Sequence, residues 1–190
     1  MRITETILWI RLDRPGYESA SLKATAAGWR LRGTALFPHD QKPCRLEYDI
    51  RCGHDWLTES ATVSGHVGAA DVDIEMLRNA AGEWALNGSK LWELTGCDDI
   101  DLNFSPSTNM LPIRRLALSV GESASVRAAW LRFPSLRMEV LDQTYARLSD
   151  DVYRYESADG KFRRDLKVDS SGFVLDYPDF WRSEARSSAL

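Results

Sequence analysis

The segment from Asn103 to Leu116, NFSPSTNMLPIRRL, concentrates side chains that could contact a ligand. Thr108 and Asn109 can donate and accept hydrogen bonds, and the cations Arg114 and Arg115 can bind a polar or anionic group. Two prolines in the segment each fix a φ angle and restrict the residue before them. A loop restricted by two prolines and followed directly by two cations predicts a binding site for a polar head group.

The residues after Pro112, IRRLALSV, are compatible with a β-strand. Strand alternation places Arg114 on the face that carries three aliphatic residues and Arg115 on the other face. A buried guanidinium needs an anion or several acceptors, because an unpaired charge in a dry interior is very costly. Arg114 is therefore expected either to meet a ligand head group or a buried carboxylate, or to extend from the strand end to water. The first alternative predicts that Arg114→Ala is more harmful than Arg115→Ala.

Sequence motifs for catalysis, metals and cofactors are not matched. The stretch from Gly82 to Lys90, GEWALNGSK, lacks the spacing of a phosphate-binding loop, and no zinc-protease, hydrolase or dinucleotide motif is present. The stretch Asp99–Asn103 begins like a calcium loop, but a phenylalanine follows where glycine is required. His39, His54 and His66 are isolated near turns. We predict no catalytic residues, no metal and no cofactor.

Composition limits the classes of partner and location. The 190 residues include 24 Lys and Arg against 28 Asp and Glu, a net charge of −4, so a nucleic-acid partner is not expected. The first apolar run, ILWI, is too short for a signal peptide, and no stretch is long enough for a membrane-spanning helix. The three cysteines form no Cys-x-x-Cys pair and are expected to be buried and unpaired. These features favour a cytoplasmic protein.

The elements that must position the binding segment are β-strands. Cys44–Cys52, CRLEYDIRC, alternates apolar and polar residues without a fault, and Ala70–Met76 repeats the pattern. Turn signals recur every eight to twelve residues, and Asp159–Gly160 predicts a hairpin. Ser135–Ser149 is compatible with helix, but its pattern favours strand. About fifteen strands can be drawn between the turns.

These strands predict an all-β fold, with one antiparallel domain over residues 2–183 and a frayed tail over residues 184–190. Two arrangements remain open. A curved or closed barrel would require something to fill its interior, whereas two flat sheets would pack around a solid core. The seven tryptophans fit either arrangement, because tryptophan is common in cores and can also line a ligand cavity.

Several motifs resemble a bacterial family described as putative glycolipid-binding proteins, originally a domain of unknown function. They are the opening segment with DDIDL before it and AAWLRFP after it, and the later stretches QTYARL, YRYESADGKF and VDSSGFVLDYP. The resemblance implies a many-stranded, partly open β-barrel with an internal apolar cavity. Such a barrel is similar to the periplasmic lipoprotein-localisation factors, which carry acyl chains.

Together these observations predict a non-catalytic protein whose barrel interior takes a lipid or glycolipid tail. Two alternatives remain: an enzyme that acts on a small sugar or lipid conjugate through a carboxylate or histidine near the same loop, and a partner-binding β-sandwich without a ligand. The oligomeric state is left open. The candidate ligand-binding residues are Thr108, Asn109, Arg114 and Arg115 near the head group, and Trp130, Tyr145, Tyr153 and Tyr155 around the cavity.

Overall fold

A computed structural model describes residues 5–188, excluding the side chain of Ser188. Over this range the chain forms one sheet of fifteen strands, which confirms the all-β prediction. The strands are β1 Glu5–Arg11, β2 Tyr17–Thr25, β3 Gly28–His39, β4 Lys42–Cys52, β5 Thr58–Val67, β6 Ala70–Arg78, β7 Trp84–Leu86, β8 Ser89–Leu91, β9 Asp99–Leu102, β10 Ser123–Arg132, β11 Arg137–Arg147, β12 Val152–Ser157, β13 Phe162–Val168, β14 Val174–Tyr177 and β15 Trp181–Ser188. Two short 3₁₀ helices, Trp92–Leu94 and Ser107–Asn109, and one α-helix, α1 Met110–Leu116, complete the described elements.

The sheet is a meander that curls without closing. Its strand order runs from β8 through β1 and β15 to β9; neighbours are antiparallel except β9 and β10, which are parallel. The edge strand β9 lies against β5. The Thr58 amide donates to the Asp98 carbonyl at 3.1 Å, and the Thr58 hydroxyl accepts from the Ile100 amide at 3.1 Å. These bonds hold the two halves of the sheet around a common interior.

The interior is filled by the alternate side chains of the strands. In β4 the residues with side chains in the core are Cys44, Leu46, Tyr48, Ile50 and Cys52, as the sequence alternation predicts. All three cysteines are buried and unpaired, which confirms their expected role as small apolar residues. Packing therefore follows the period of two that strands impose.

Other local predictions can be compared with the strands. The hairpin at Asp159–Gly160 is confirmed, because β12 and β13 flank it and pair with each other. The strand over Ser135–Ser149 is also confirmed as β11. The prediction of a frayed tail is wrong for residues 184–188, because β15 extends to Ser188 and pairs with β1. Residues 189 and 190 lie outside the described residues.

The predicted strand after Pro112 is wrong, because α1 occupies this part of the chain. Proline suits the first turn of a helix, since its φ angle is already helical and its missing N–H is not needed there. The helix ends at Leu116. The next residue, Ala117, has a left-handed φ of 44° and its amide donates to the Ile113 carbonyl at 3.3 Å. Arg114 is consequently half-buried on a helix, not on the apolar face of a strand.

Candidate functional site

A cavity of about 480 Å³ opens at one end of the curled sheet. Its walls are the inner faces of β9 to β13, the loop after β9, and the ends of β1, β14 and β15. The aromatic lining residues are Trp130, Tyr155, Phe162, Tyr177, Phe180 and Trp181. The polar lining residues are Arg11, Asp13, Arg14, Asp101, Asn103, Ser105, Asn109 and Ser157, and the aliphatic ones are Leu141 and Ala158.

Strand register explains why distant residues share this cavity. Asp101 in β9 pairs with Trp130 in β10, and Ala128 two residues earlier pairs with Leu141 in β11. Paired residues project to the same face of a sheet, so their side chains line the inner surface together. Tyr155 in β12 reaches the same surface. The carboxylate, the indole and the phenol therefore converge although the sequence separates them by up to 54 positions.

One wall of the cavity is a continuous group of aromatic rings. Tyr155 lies 5.9 Å from Phe162 between ring centroids, Phe162 lies 5.7 Å from Phe180, and Phe180 lies 5.4 Å from Tyr177. All these pairs are tilted or edge-to-face, which aromatic quadrupoles favour. The wall thus offers a large apolar area held in fixed orientation.

A hydrogen-bonded chain places one carboxylate on the cavity surface. The Gln143 amide donates to Asp101 Oδ2 at 2.7 Å and lies 3.3 Å from the Tyr155 hydroxyl. Burial raises the pKa of Asp101 to about 6, although the bond from Gln143 opposes the rise. Asp101 Oδ1 accepts no hydrogen bond from the part of the chain that the structure describes. Asp101 is therefore mostly ionised at pH 7 and has one oxygen available.

Three charged residues form a second polar group at the cavity mouth. Arg11 donates to both oxygens of Asp13 at 2.8 and 3.2 Å, and Arg14 Nε donates at 2.9 Å. Burial opposes ionisation of Asp13, but the two guanidinium groups outweigh it and lower its pKa. Arg11 also stacks against Trp181, with 5.0 Å from its guanidinium carbon to the ring centroid. Both oxygens of Asp13 are thus engaged within the protein.

The loop that follows β9 is held from below by a buried carboxyl group. Glu18 is 1% exposed, and its Oε1 accepts hydrogen bonds from the Tyr48 hydroxyl at 2.6 Å and the Ser105 hydroxyl at 2.5 Å. Ser105 is 2.7 Å from the hydroxyl of Ser107. Burial raises the pKa of Glu18 to about 8, so it is mostly protonated at pH 7. A mostly neutral carboxyl group thus anchors the loop through its hydrogen bond with Ser105.

Three of the residues predicted from sequence line this cavity: Asn109, Trp130 and Tyr155. Tyr145 lies directly behind two of them. Its hydroxyl donates to Asn109 Oδ1 at 3.0 Å, and its ring centroid is 5.3 Å from that of Tyr155. Tyr145 thus supports the cavity wall from within the core.

The other four predicted residues lie elsewhere. Thr108 is buried, and its hydroxyl accepts from a backbone amide of β9 at 3.3 Å. Arg115 binds the buried carboxylate of Asp99. Arg114 and Tyr153 line a separate cavity of about 340 Å³. The structure therefore divides the opening segment between the main cavity, the core and a second pocket.

Sequence reasoning missed most of the aromatic wall and the carboxylate. Strand alternation does place Asp101 with Asn103 on the polar side of β9, and that side is the one that faces the cavity. Phe162 lies within the stretch YRYESADGKF, which contributed to the family resemblance. Phe180 and Trp181 join them through the turn between β14 and β15, where Tyr177 pairs with Trp181, and no sequence motif marks this turn as part of a site.

Among residues 5–188, no group of three or more His, Cys, Asp and Glu side chains is arranged to hold a metal ion. Within the same range, the helices found are all too short or too polar to span a membrane.

The fold and the cavity define an all-β protein with a partly open barrel. A β-barrel-like protein of the DUF1849 family from Brucella abortus has the same fold, with a TM-score of 0.58 at 12% identity over 99% of this chain and 98% of that one. The chain belongs to the family described as "Putative glycolipid-binding", whose sequence profile matches residues 6–183. A crystal structure of a DUF1089 family protein from Pseudomonas aeruginosa is similar at 32% identity, with a TM-score of 0.75 over 85% of this chain and 89% of that one. The search of curated proteins finds no match.

Proposed function

We propose that this protein binds a lipid or glycolipid in the cavity at the end of the barrel, without a catalytic step. The observation that carries the proposal is the convergence of six aromatic side chains and several polar groups around about 480 Å³. Small-molecule sites typically enclose 300–1,000 Å³ and combine aromatic walls with a few placed polar groups. The family description supports a ligand that has both a lipid part and a sugar part.

Within this proposal the predicted residues have different roles. Asn109, Trp130 and Tyr155 contact the ligand, because their side chains reach the cavity surface. Tyr145 positions two of them through its hydrogen bond and ring contact. The remaining four candidates act in folding or at the second pocket.

Glycoside hydrolysis is the enzymatic alternative, and the arrangement of the carboxylates argues against it. A hydrolase of this kind uses one protonated carboxyl as the acid and a second, available carboxylate as base or nucleophile. Asp101, with its raised pKa, could act as the acid. Among the described residues that line the cavity, Asp13 is the other carboxylate, and both of its oxygens are bound to arginines. A binding role therefore fits the site better.

The proposal is tested by titrating the protein with octyl tetra(ethylene glycol) ether and n-octyl β-D-glucoside below their micelle concentrations. Isothermal titration calorimetry should detect binding of an amphiphile. Trp130→Ala should weaken it about tenfold, since removing an aromatic contact and its apolar area is worth on the order of 1.4 kcal/mol. Trp92→Ala is the matched control, because Trp92 is 67% exposed and lies outside the cavity.

Absence of binding by both amphiphiles, or equal losses in the Trp130 and Trp92 variants, would show that the cavity is not a lipid site. Native mass spectrometry of the purified protein provides a second readout, because a co-purified amphiphile should be lost from the Trp130 variant.

A further inference from the structure

We infer that the cavity recognises an uncharged sugar head group, which enters first, while the alkyl part of the ligand remains at the mouth. This inference rests on the proposed function, and it names the chemical class and orientation of the ligand. It differs from the simplest expectation for a lipid-binding barrel, in which the acyl chain occupies the interior.

The lining offers little aliphatic surface to an acyl chain, because its apolar area comes mostly from aromatic rings. Leu141 and Ala158 are the aliphatic side chains among its described residues, whereas eight lining residues are polar or charged. An alkyl chain buried there would desolvate those polar groups without satisfying them, which is unfavourable. Elsewhere in the barrel, the interior is occupied by large buried side chains such as Trp9 and Phe104. The polar end of an amphiphile matches this cavity better than its tail does.

The aromatic residues suit the faces of a sugar ring. A pyranose presents several C–H groups on one face. The partial positive charge of these hydrogens is attracted to the negative face of an aromatic ring. Trp130 and Tyr155 reach the cavity from neighbouring parts of the same sheet surface, with Asp101 directly paired to Trp130. A ring that contacts the indole thus lies next to a carboxylate that can bind its hydroxyl groups.

The polar residues supply both an acceptor and a donor. Asp101 Oδ1 is available as an acceptor, since Gln143 holds the other oxygen. Asn103 uses its side-chain oxygen to accept from the Phe133 amide at 3.3 Å, and its NH₂ group donates no hydrogen bond to the described residues. Asp101 and Asn103 are two positions apart and both line the cavity. An acceptor beside a donor matches adjacent hydroxyl groups, each of which can play either role.

Charge balance favours an uncharged ligand. The charged lining residues are Arg11, Arg14, Asp13 and Asp101. Their formal charges cancel when both carboxylates are ionised, and Asp13 occupies both arginines. A phosphate that approached these arginines would lie close to the carboxylates of Asp13 and Asp101, whose negative charges repel it. A neutral sugar meets no such repulsion.

The test compares four octyl compounds that differ only in the head group: the β-D-glucoside, the β-D-galactoside, the tetra(ethylene glycol) ether and the phosphate. Calorimetry at pH 7.5 should show at least one glycoside binding about tenfold more tightly than the ether and the phosphate. The methyl glycoside of the preferred sugar should compete for the site, since the sugar supplies the specific contacts.

Two variants of the cavity carboxylate separate recognition from folding. Asp101→Ala should weaken glycoside binding at least tenfold and change ether binding less than twofold, because only the sugar uses the carboxylate. Asp101→Asn keeps the side-chain shape, and its affinity for the glycoside should lie between those of the unmodified protein and Asp101→Ala. Asp142→Ala is the matched control, because Asp142 is exposed on β11 and outside the cavity. Circular dichroism melts establish that each variant is folded.

The outcomes distinguish this inference from the proposed function. If the ether binds as tightly as both glycosides, or the phosphate binds most tightly, sugar recognition is wrong and amphiphile binding stands. Failure of all four compounds overturns both.

Discussion

Arg115 and Asp99 form a two-point ion pair in which the carboxylate is 1% exposed. Arg115 Nε lies 3.1 Å from Asp99 Oδ1, and Nη2 lies 2.6 Å from Oδ2. The pair ties α1 to β9, the strand that carries Asp101 into the cavity. Burial raises the pKa of Asp99, and the guanidinium of Arg115 opposes that rise. Arg114, one position away, makes a 3.4 Å bond to the Ser170 carbonyl and stacks on Trp56.

We therefore predict that Arg115→Ala lowers the free energy of unfolding by about 3–5 kcal/mol, because it leaves Asp99 buried without its partner. Arg114→Ala should lower it by about 1 kcal/mol or less, since this half-buried side chain loses one long hydrogen bond and a stacking contact. Urea unfolding at pH 7 measures both. This order is the reverse of the one expected from sequence if Arg114 met a ligand head group or a buried carboxylate. Equal effects of the two substitutions would contradict the importance of the ion pair.

The buried carboxyl of Glu18 predicts a pH dependence of stability. Its pKa is about 8 in the folded protein against 4.5 for an exposed glutamate, so the folded state retains a proton that the unfolded state releases. The contribution is fully present below pH 4.5 and falls by about 1.4 kcal/mol per pH unit up to pH 8. Glu18→Gln mimics the neutral acid and should reduce this slope. Urea unfolding between pH 5 and 8 measures it.

Glu139→Gln is the control for that experiment, because Glu139 lies at the surface beside Arg132. It should retain the slope of the unmodified protein. An unchanged slope in the Glu18 variant would mean that Glu18 is ionised in its buried position.

Gly33 is predicted to be essential for the same buried network. It stands opposite Tyr48 in the β3–β4 pair, and an added Cβ would lie 2.2 Å from the Tyr48 hydroxyl oxygen. Gly33→Ala should therefore displace the tyrosine from Glu18 and destabilise the protein by about 1–3 kcal/mol. Thermal melts compare it with Thr34→Ala, the adjacent control. A melting temperature like that of the unmodified protein would show that the ring has room to move.

Local patterns predict much of this fold because strand alternation and turn residues act over a few positions. Cys44–Cys52 and the hairpin at Asp159–Gly160 are examples. The strand predicted after Pro112 is wrong, because a short apolar run fits a helix as well as a strand. The helix directs Arg115 toward Asp99. The roles of the two arginines therefore depend on whether the segment is helix or strand, which its local sequence does not determine.

The candidate site was less predictable, because it depends on the curl of the whole sheet. Trp130 and Tyr155 can be selected from sequence as aromatic residues. Their approach to Trp181 cannot, because β10 and β15 are five positions apart in the order of the sheet. Strand alternation places the side chain of Asp101 on the polar side of β9. Only the fold shows that this side faces a cavity and not solvent.

The same carboxylate yields a prediction for ligand binding. The pKa of Asp101 is about 6, so the carboxylate is mostly ionised at pH 7 and mostly protonated at pH 5. The ionised form is the stronger acceptor for a sugar hydroxyl. If only that form binds, affinity for the preferred octyl glycoside should be roughly tenfold lower at pH 5 than at pH 7. Calorimetry at several pH values measures the change.

Other charged or titratable groups that line the cavity should not produce this profile. Arg11 and Arg14 lower the pKa of Asp13, which therefore remains ionised between pH 5 and 7. Tyr155 has a raised pKa and remains neutral. Asp101→Asn should consequently bind the glycoside with an affinity that is nearly constant between pH 5 and 7. A tenfold loss at pH 5 that persists in this variant would assign the titration to another group and remove Asp101 from sugar recognition.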